Sequence, residues 1–277
     1  MAAKRSPWIH ELSWPAIAEN LKANDIVLVP IGATEQHGPH TPLMVDTAWA
    51  IHVSEAVAER TGALVAPPLH YGWSPHHLAY PGGITLRPET LIQVAVDVGE
   101  SLLFHGFRKI VLVNGNRIAN LPPMEIAATK LRFKTGCFSA VVDIGLIARK
   151  EVAEICGHVP NSTDHAADAE TSYMLFVHPE LVDMAKAPHV PPKPAGKAGY
   201  VGHVPLERPY DANMVLVHPT LEEYAAKTAP TGIGGDPRAA TREKGQRIFE
   251  SVVGNFAAYI EDVKKLEVRL KPIEVPI

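Results

Sequence analysis

Only two cysteines, Cys137 and Cys156, occur in this chain of 277 residues, and both lie in apolar contexts. That scarcity excludes a disulfide framework and fits a reducing, cytoplasmic setting. Long hydrophobic runs are missing as well: the longest, such as Ile26–Ala33, have the length of a strand, far short of the roughly 18 residues that cross a bilayer. No membrane partner is expected. Met1–Ile17 carries Lys4 and Arg5 but then mixes Trp8, His10, Glu11 and Pro15, without the apolar core of a signal peptide. Charge of one sign is also absent. Lys and Arg number 26 against 30 Asp and Glu, a net charge of −4, which argues against a domain-wide nucleic-acid footprint.

With 46% hydrophobic and 20% charged residues, disorder is excluded as the dominant state. A chain of this length buries a substantial core without disulfides. Two residue types stand out, 25 prolines and 14 histidines. The prolines point to many ordered loops. The histidines gather near glycine, proline and carboxylates, where catalytic loops place them.

Local patterns alternate. A short helix opens at Ser13-Trp14-Pro15, and Asp25–Ile31 reads as a buried strand. Ala50, Val53, Ala56 and Val57 mark a helix over Asp46–Arg60, followed by a short strand Ala63–Ala66 and a helix Pro88–Phe104. A strand Lys109–Asn114, a helix from Pro122 to Phe133 and a strand Cys137–Ile144 continue the order. Ala166–His178 reads as a helix, Pro188–Pro219 as a long irregular region, and Asp236-Pro237 as the cap of a final helix reaching Leu266. The alternation predicts one α/β domain over residues 1–277, three-layered α/β/α, with a mostly parallel sheet.

Ligands bind beyond the carboxyl ends of such strands. The first strand runs into Glu35-Gln36-His37, the second leads to Trp73, His76 and His77, the third to Asn114-Gly115-Asn116-Arg117, and the fourth lies upstream of His165 and Glu170. Polar, metal-capable side chains therefore fall on one sheet edge. Glu35 and His37, two apart in an extended segment, project to one side. Their carboxylate and imidazole suit Zn²⁺ or Mn²⁺, with Fe²⁺ a third candidate. Asp46 reads either as a helix N-cap or as a carboxylate bridging two metals. His165 to Ser172, taken alone, reads as a solvated helix start whose acids the dipole favours. Arg117 reads equally as a surface charge or as a clamp for a carboxylate, phosphate or polarised carbonyl.

Taken together, these segments resemble the creatininase family of metal-dependent amidohydrolases. The longest is Pro30-Ile31-Gly32-Ala33-Thr34-Glu35-Gln36-His37-Gly38-Pro39-His40-Thr41-Pro42-Leu43, closed by Asp46. His77 through Thr90-Leu91, Val113-Asn114-Gly115, His165 through Glu170-Thr171-Ser172, and Gly235 through Gly245 follow in family order. The resemblance implies a two-metal site, with Glu35 on one ion, His37 on the other and Asp46 between. It implies Glu170 as a further ligand, His165 as an acid/base, and often a homohexamer. One motif departs from the family pattern: the expected Asn-Gly-His is Asn114-Gly115-Asn116, followed by Arg117 in a loop one residue longer. Asn116 then either ligates a harder metal, marks a weakened or empty site, or is a disabling change, natural or engineered.

The expected function is hydrolysis of a small cyclic or amide-like substrate by a water that one or two divalent ions acidify towards about 7. His165, Glu170 and Arg117 are the candidate catalytic groups; His77, Asn116, Arg117 and Trp73 are the candidate substrate contacts. Glu35, His37, Asp46, Asn116 and Glu170 are the candidate ligands. A ring-opening hydrolase of a cyclic polyol diketone, by carbon–carbon cleavage, is the alternative within the family. A non-enzymatic small-molecule binder on the same scaffold is the alternative outside it.

Overall fold

The computed structural model describes residues 6–117, 119–190 and 218–275. Four strands, β1 (Ile26–Ile31), β2 (Leu64–Val65), β3 (Lys109–Asn114) and β4 (Phe138–Asp143), form one sheet in the order β2-β1-β3-β4. Every pairing is parallel, with Ile31 opposite Asn114 and Asn114 opposite Asp143. The central strands β1 and β3 are buried at all positions, as expected of strands covered on both faces.

Period-two alternation assigns successive side chains to two cores. Ile26, Leu28, Val111 and Val113 face α2 (Val45–Thr61), α6 (Asp168–Val177) and α8 (Arg242–Lys264). Val27, Val29, Ile110 and Leu112 face α3 (Pro88–Phe104) and α4 (Leu121–Thr135), and Ile17 and Leu21 of α1 (Trp14–Leu21) pack against the same core. This is the expected three-layer α/β/α architecture. Tyr173 and Met174 are fully buried in the first core, and the Tyr173 hydroxyl donates to the Ala48 carbonyl at 3.2 Å.

Three local expectations change. The final helix starts at Arg242, because the Thr241 hydroxyl accepts the Lys244 N–H at 3.2 Å. Asp236 instead holds the Arg238 guanidinium at 2.9 Å and His189 Nδ1 at 3.0 Å. Met44, not Asp46, occupies the cap of α2, which leaves the Asp46 carboxylate for other partners. Two short helices, α5 (Arg149–Ile155) and α7 (Leu221–Thr228), arise where the apolar pattern is too brief to announce them. The interior of the Pro188–Pro219 region, including His203, lies outside the described residues.

Candidate metal centre

Each strand end delivers one part of the site. The turn after β1 carries Glu35 and His37, and the Glu35 N–H donates to the Leu43 carbonyl at 3.1 Å to close it. Asp46 follows in the first turn of α2. Gly115, after β3, lets that loop approach α2: a Cβ there would sit 2.0 Å from the Asp46 carbonyl oxygen. Asn116 is thereby brought to the carboxylates. His77 sits on a 3-10 turn over Pro75–Ala79. His165 and Glu170 flank the start of α6, where Ala166 adopts a left-handed φ of 55° and donates its N–H to Glu170 Oε2 at 2.6 Å.

Glu35, His37, Asp46, His77 and Asn116 are all buried, none more than 6% exposed. His37 Nε2 lies 3.4 Å from Asp46 Oδ1 and 3.5 Å from Glu170 Oε2. His77 Nε2 is 3.2 Å, and His165 Nδ1 3.7 Å, from Glu35 Oε1. Asn116 Nδ2 donates to Glu35 Oε2 at 2.8 Å and to Asp46 Oδ2 at 3.0 Å. Three overlapping groups, Glu35 with His77 and His165, His37 with His165 and Glu170, and Glu35 with His37 and Asp46, each have their ligand atoms within 4.8 Å of one another.

Hydrogen bonds set the imidazole faces. His37 Nδ1–H donates to the Glu35 carbonyl at 3.2 Å, which turns Nε2 towards the carboxylates. That nitrogen is buried and has no partner in hydrogen-bonding geometry. His165 Nε2–H donates to the Gln36 carbonyl at 2.6 Å, leaving the Nδ1 lone pair towards the cluster. Burial opposes a charge on His37, yet Asp46, Glu170 and Glu35 outweigh it and raise its pKa to about 10. Burial, reinforced by Asp46, holds the Glu35 carboxyl well above its usual range. Burial also lifts Glu170 to about 7, although His37 opposes the shift. Burial, then His37, depresses His165 well below its usual value and keeps it neutral. The carboxylates around His37 Nε2 thus favour positive charge at that place, and one imidazole with several carboxylates is a donor set that Zn²⁺ and Mn²⁺ accept.

The cavity over this cluster is also lined by Arg117, Thr163, Asp164, His76 and Tyr224. Trp73 is not among its lining residues. Its backbone N–H is tied to Asn120 Oδ1 at 2.7 Å, and its ring packs on the second core and on His218 at 5.1 Å. In this arrangement Trp73 packs beside the site, outside the lining of that cavity. His40 lies beneath the site, its Nε2 2.8 Å from the Thr171 hydroxyl. His52 and His178 pair at 3.0 Å away from the centre, and His105 caps α3.

Gln36 escaped the residue-by-residue reading, since an amide has no titration or ligand signature. Its Oε1 accepts the Gly38 N–H at 2.9 Å, and its Nε2 donates to the Gly232 carbonyl at 2.6 Å and to His77 Nδ1 at 3.1 Å. Its position between two candidate ligands was the one available signal. The Lys244 segment, which lies in the last family-like run, has a structural part: Lys244 Nζ pairs with buried Asp168 Oδ2 at 2.6 Å at the start of α6.

Comparison with known proteins agrees with this geometry. The profile of the Creatininase family, creatinine amidohydrolase, matches residues 10–260. The creatinine amidohydrolase of Pseudomonas putida is 32% identical, over 93% of this chain and 97% of its own. The 3-dehydro-scyllo-inosose hydrolase of Thermotoga maritima is 28% identical, over 92% of this chain and 83% of its own. The mycofactocin precursor peptide peptidase of Mycolicibacterium smegmatis is 32% identical, over 85% and 84%. Among solved structures, a mutant creatininase of Zn–Zn type superposes with a TM-score of 0.77 and a manganese creatininase with 0.75. Both are 29% identical and cover 95% of this chain and all of theirs. The chain belongs to the creatininase family and is a metal-dependent hydrolase.

Proposed function

We propose that this hydrolase acts on a small substrate that joins an amide-like or ring carbonyl to an anionic arm. The observation that carries the reading is the place of Arg117. It lines the cavity over Glu35, Asp46 and Glu170 and also an adjoining recess of about 400 Å³. That recess carries Arg149, Lys150 and His158 against a single acid, Glu154. Arg117 faces Asp143, opposing the rise that burial gives that carboxyl, and no ion pair is formed by Arg117, Arg149 or Lys150 among the described residues. A guanidinium at the junction would hold a carboxylate or phosphate with the carbonyl directed at the centre.

His37, Asp46 and Glu170, with Glu35 beside them, form the cation-binding cluster of this reading. A divalent ion bound there supplies an acidified water and positive charge for a developing oxyanion. His165, fixed by the Gln36 carbonyl, presents its Nδ1 lone pair at the cavity edge and carries the proton from nucleophile to leaving group. His77 holds the Glu35 carboxylate in place. Burial of the cluster excludes bulk water and strengthens each of these contacts.

A second reading is ring opening of a cyclic polyol diketone. The Thermotoga maritima relative and the altered Asn116-Arg117 loop favour it. The same water would attack a ketone and an enolate would leave. Two further parts of the proposal rest on the family resemblance and on two buried free thiols: a homo-oligomer, with a hexamer as the implied form, and a cytoplasmic location. No helix among the described residues is long and apolar enough to cross a membrane.

The test is hydrolysis by metal-loaded protein of N-acylated amino acids and lactams, each paired with a neutral amide analogue, with a cyclic diketone as a separate arm. The expected result is turnover of the anionic member, with Arg117→Gln raising KM about tenfold for it alone. Equal use of both members of each pair would overturn the anionic arm. Turnover of the diketone alone would select the second reading.

A further inference from the structure

We infer that this chain holds a single divalent ion, on His37, Asp46 and Glu170, and that the Asn116 amide group occupies the place of a second cation between Glu35 and Asp46. The inference rests on the metal-hydrolase reading above and concerns what residue 116 does to it.

The orientation of the Asn116 amide is determined by its neighbours. Its Oδ1 accepts the Ala119 N–H at 3.2 Å, a group that can only donate. Its Nδ2 faces Glu35 Oε2 at 2.8 Å and Asp46 Oδ2 at 3.0 Å, and an NH₂ group has one hydrogen for each oxygen, whereas an amide oxygen would meet lone pairs there. Both constraints give the same answer. Asn116 turns its N–H bonds, not its carbonyl oxygen, to the carboxylates, so it does not serve there as the oxygen ligand that the sequence left open.

Those N–H bonds complete the needs of Glu35. Gln36 Nε2 donates to His77 Nδ1, so His77 Nε2 carries the hydrogen that it directs to Glu35 Oε1 at 3.2 Å. Glu35 then accepts from His77 on one oxygen and from Asn116 on the other. Asp46 Oδ2 is satisfied by Asn116 as well. Both Asn116 contacts are at hydrogen-bond length through the NH₂ group, which offers no lone pair to an ion at that place.

The other half of the cluster is unsatisfied. His37 Nε2, 1% exposed as a residue and without a partner, faces Asp46 Oδ1 and Glu170 Oε2. The separations are 3.4 and 3.5 Å. Ligand atoms about 2.1 Å from a common tetrahedral ion stand about 3.4 Å apart. Each of the two carboxylates therefore stands from His37 Nε2 at the spacing of two ligands on one ion, and too far to satisfy that nitrogen well. The Glu35 half is neutralised by donors within the chain, and the His37 half waits for a cation.

The experiment titrates Mn²⁺ into chelator-treated protein, with metal per chain read by elemental analysis and the bound ion by electron paramagnetic resonance. One equivalent with an isolated six-line spectrum is expected. Glu35→Gln is expected to keep that equivalent and His37→Ala to lose it. Asn116→His, which replaces the donor with a ligand, is expected to raise the count to two, and Asn116→Asp provides the same readout if the first variant misfolds. Two equivalents or an exchange-coupled spectrum in the unaltered protein would overturn the inference while leaving the metal-hydrolase reading intact. Loss of the ion in Glu35→Gln, or a count of one in both Asn116 variants, would overturn the part assigned to Asn116. No binding at millimolar Mn²⁺ or Zn²⁺ would overturn both readings.

Discussion

The amide nitrogen of Asn116 stands 2.8 Å from Glu35 Oε2, joining residues 81 apart in sequence inside a site where both are buried. A charge-assisted hydrogen bond of this kind is worth about 1.5–3 kcal/mol, and its loss leaves buried carboxylate oxygens without donors. Asn116→Leu, which keeps the branched shape without the polar atoms, is expected to lower the stability of chelator-treated protein by about 3 kcal/mol. Thermal unfolding in chelator measures this, and an unchanged Tm would show that the amide does not support the carboxylates.

Gln36 ties two loops and an imidazole together through one amide. Gln36→Ala removes its donors to Gly232 and His77 and its acceptor for Gly38. The expected cost is about 2–4 kcal/mol, together with slower turnover, because His77 and the segment around Gly232 lose their common anchor. Chemical denaturation gives the first quantity and steady-state kinetics the second. Full activity in the variant would confine Gln36 to stability.

The crossing of α6 and α8 places Glu170, and one glycine makes that crossing possible. A Cβ on Gly245 would lie 1.9 Å from the Ser172 carbonyl oxygen. Gly245→Ala is expected to cost about 3 kcal/mol and to weaken metal binding by displacing the start of α6. Gly254, on the same helix, has nothing within 4 Å of its Cβ position. Gly254→Ala should stabilise by about 0.5–1 kcal/mol. Equal effects of the two substitutions, read by urea unfolding, would contradict this packing.

Burial, with repulsion from His37, lowers the pKa of His40 to about 4. The unfolded chain therefore takes up the proton first as the pH falls from about 6.5 to 4. The stability that neutral His40 confers is complete above about pH 6.5 and is lost as the pH approaches 4. His40→Gln, which keeps a polar group towards Thr171, is expected to flatten the acid limb of a Tm-against-pH curve. An unaltered limb would assign acid sensitivity to other groups.

Much of the fold was legible because parallel strands covered on both faces read as continuous apolar runs. Lys109–Asn114 and Pro88–Phe104 appear with the expected limits. Residues α5 and α7 span were not legible, since seven or eight residues carry too little periodicity to stand above loop composition. In the site, Glu35 and His37 were legible because two residues of one extended segment share a side whatever the remainder of the chain does. Trp73 stayed open because an aromatic beside a loop looks the same from the sequence whether it walls a cavity or packs beneath it.

Sequence alone determined which chemistry collects at the carboxyl ends of the strands, because connectivity and the right-handed crossover rule bring those loops to one edge. Tertiary structure decided which atom of each side chain meets which. His165 takes its orientation from the Gln36 carbonyl, 129 residues away, and Asn116 takes its orientation from Ala119 on one side and two carboxylates on the other. A ligand and a hydrogen-bond donor differ by the rotation of one amide. Only the packing of separate elements to within a few tenths of an ångström selects between them.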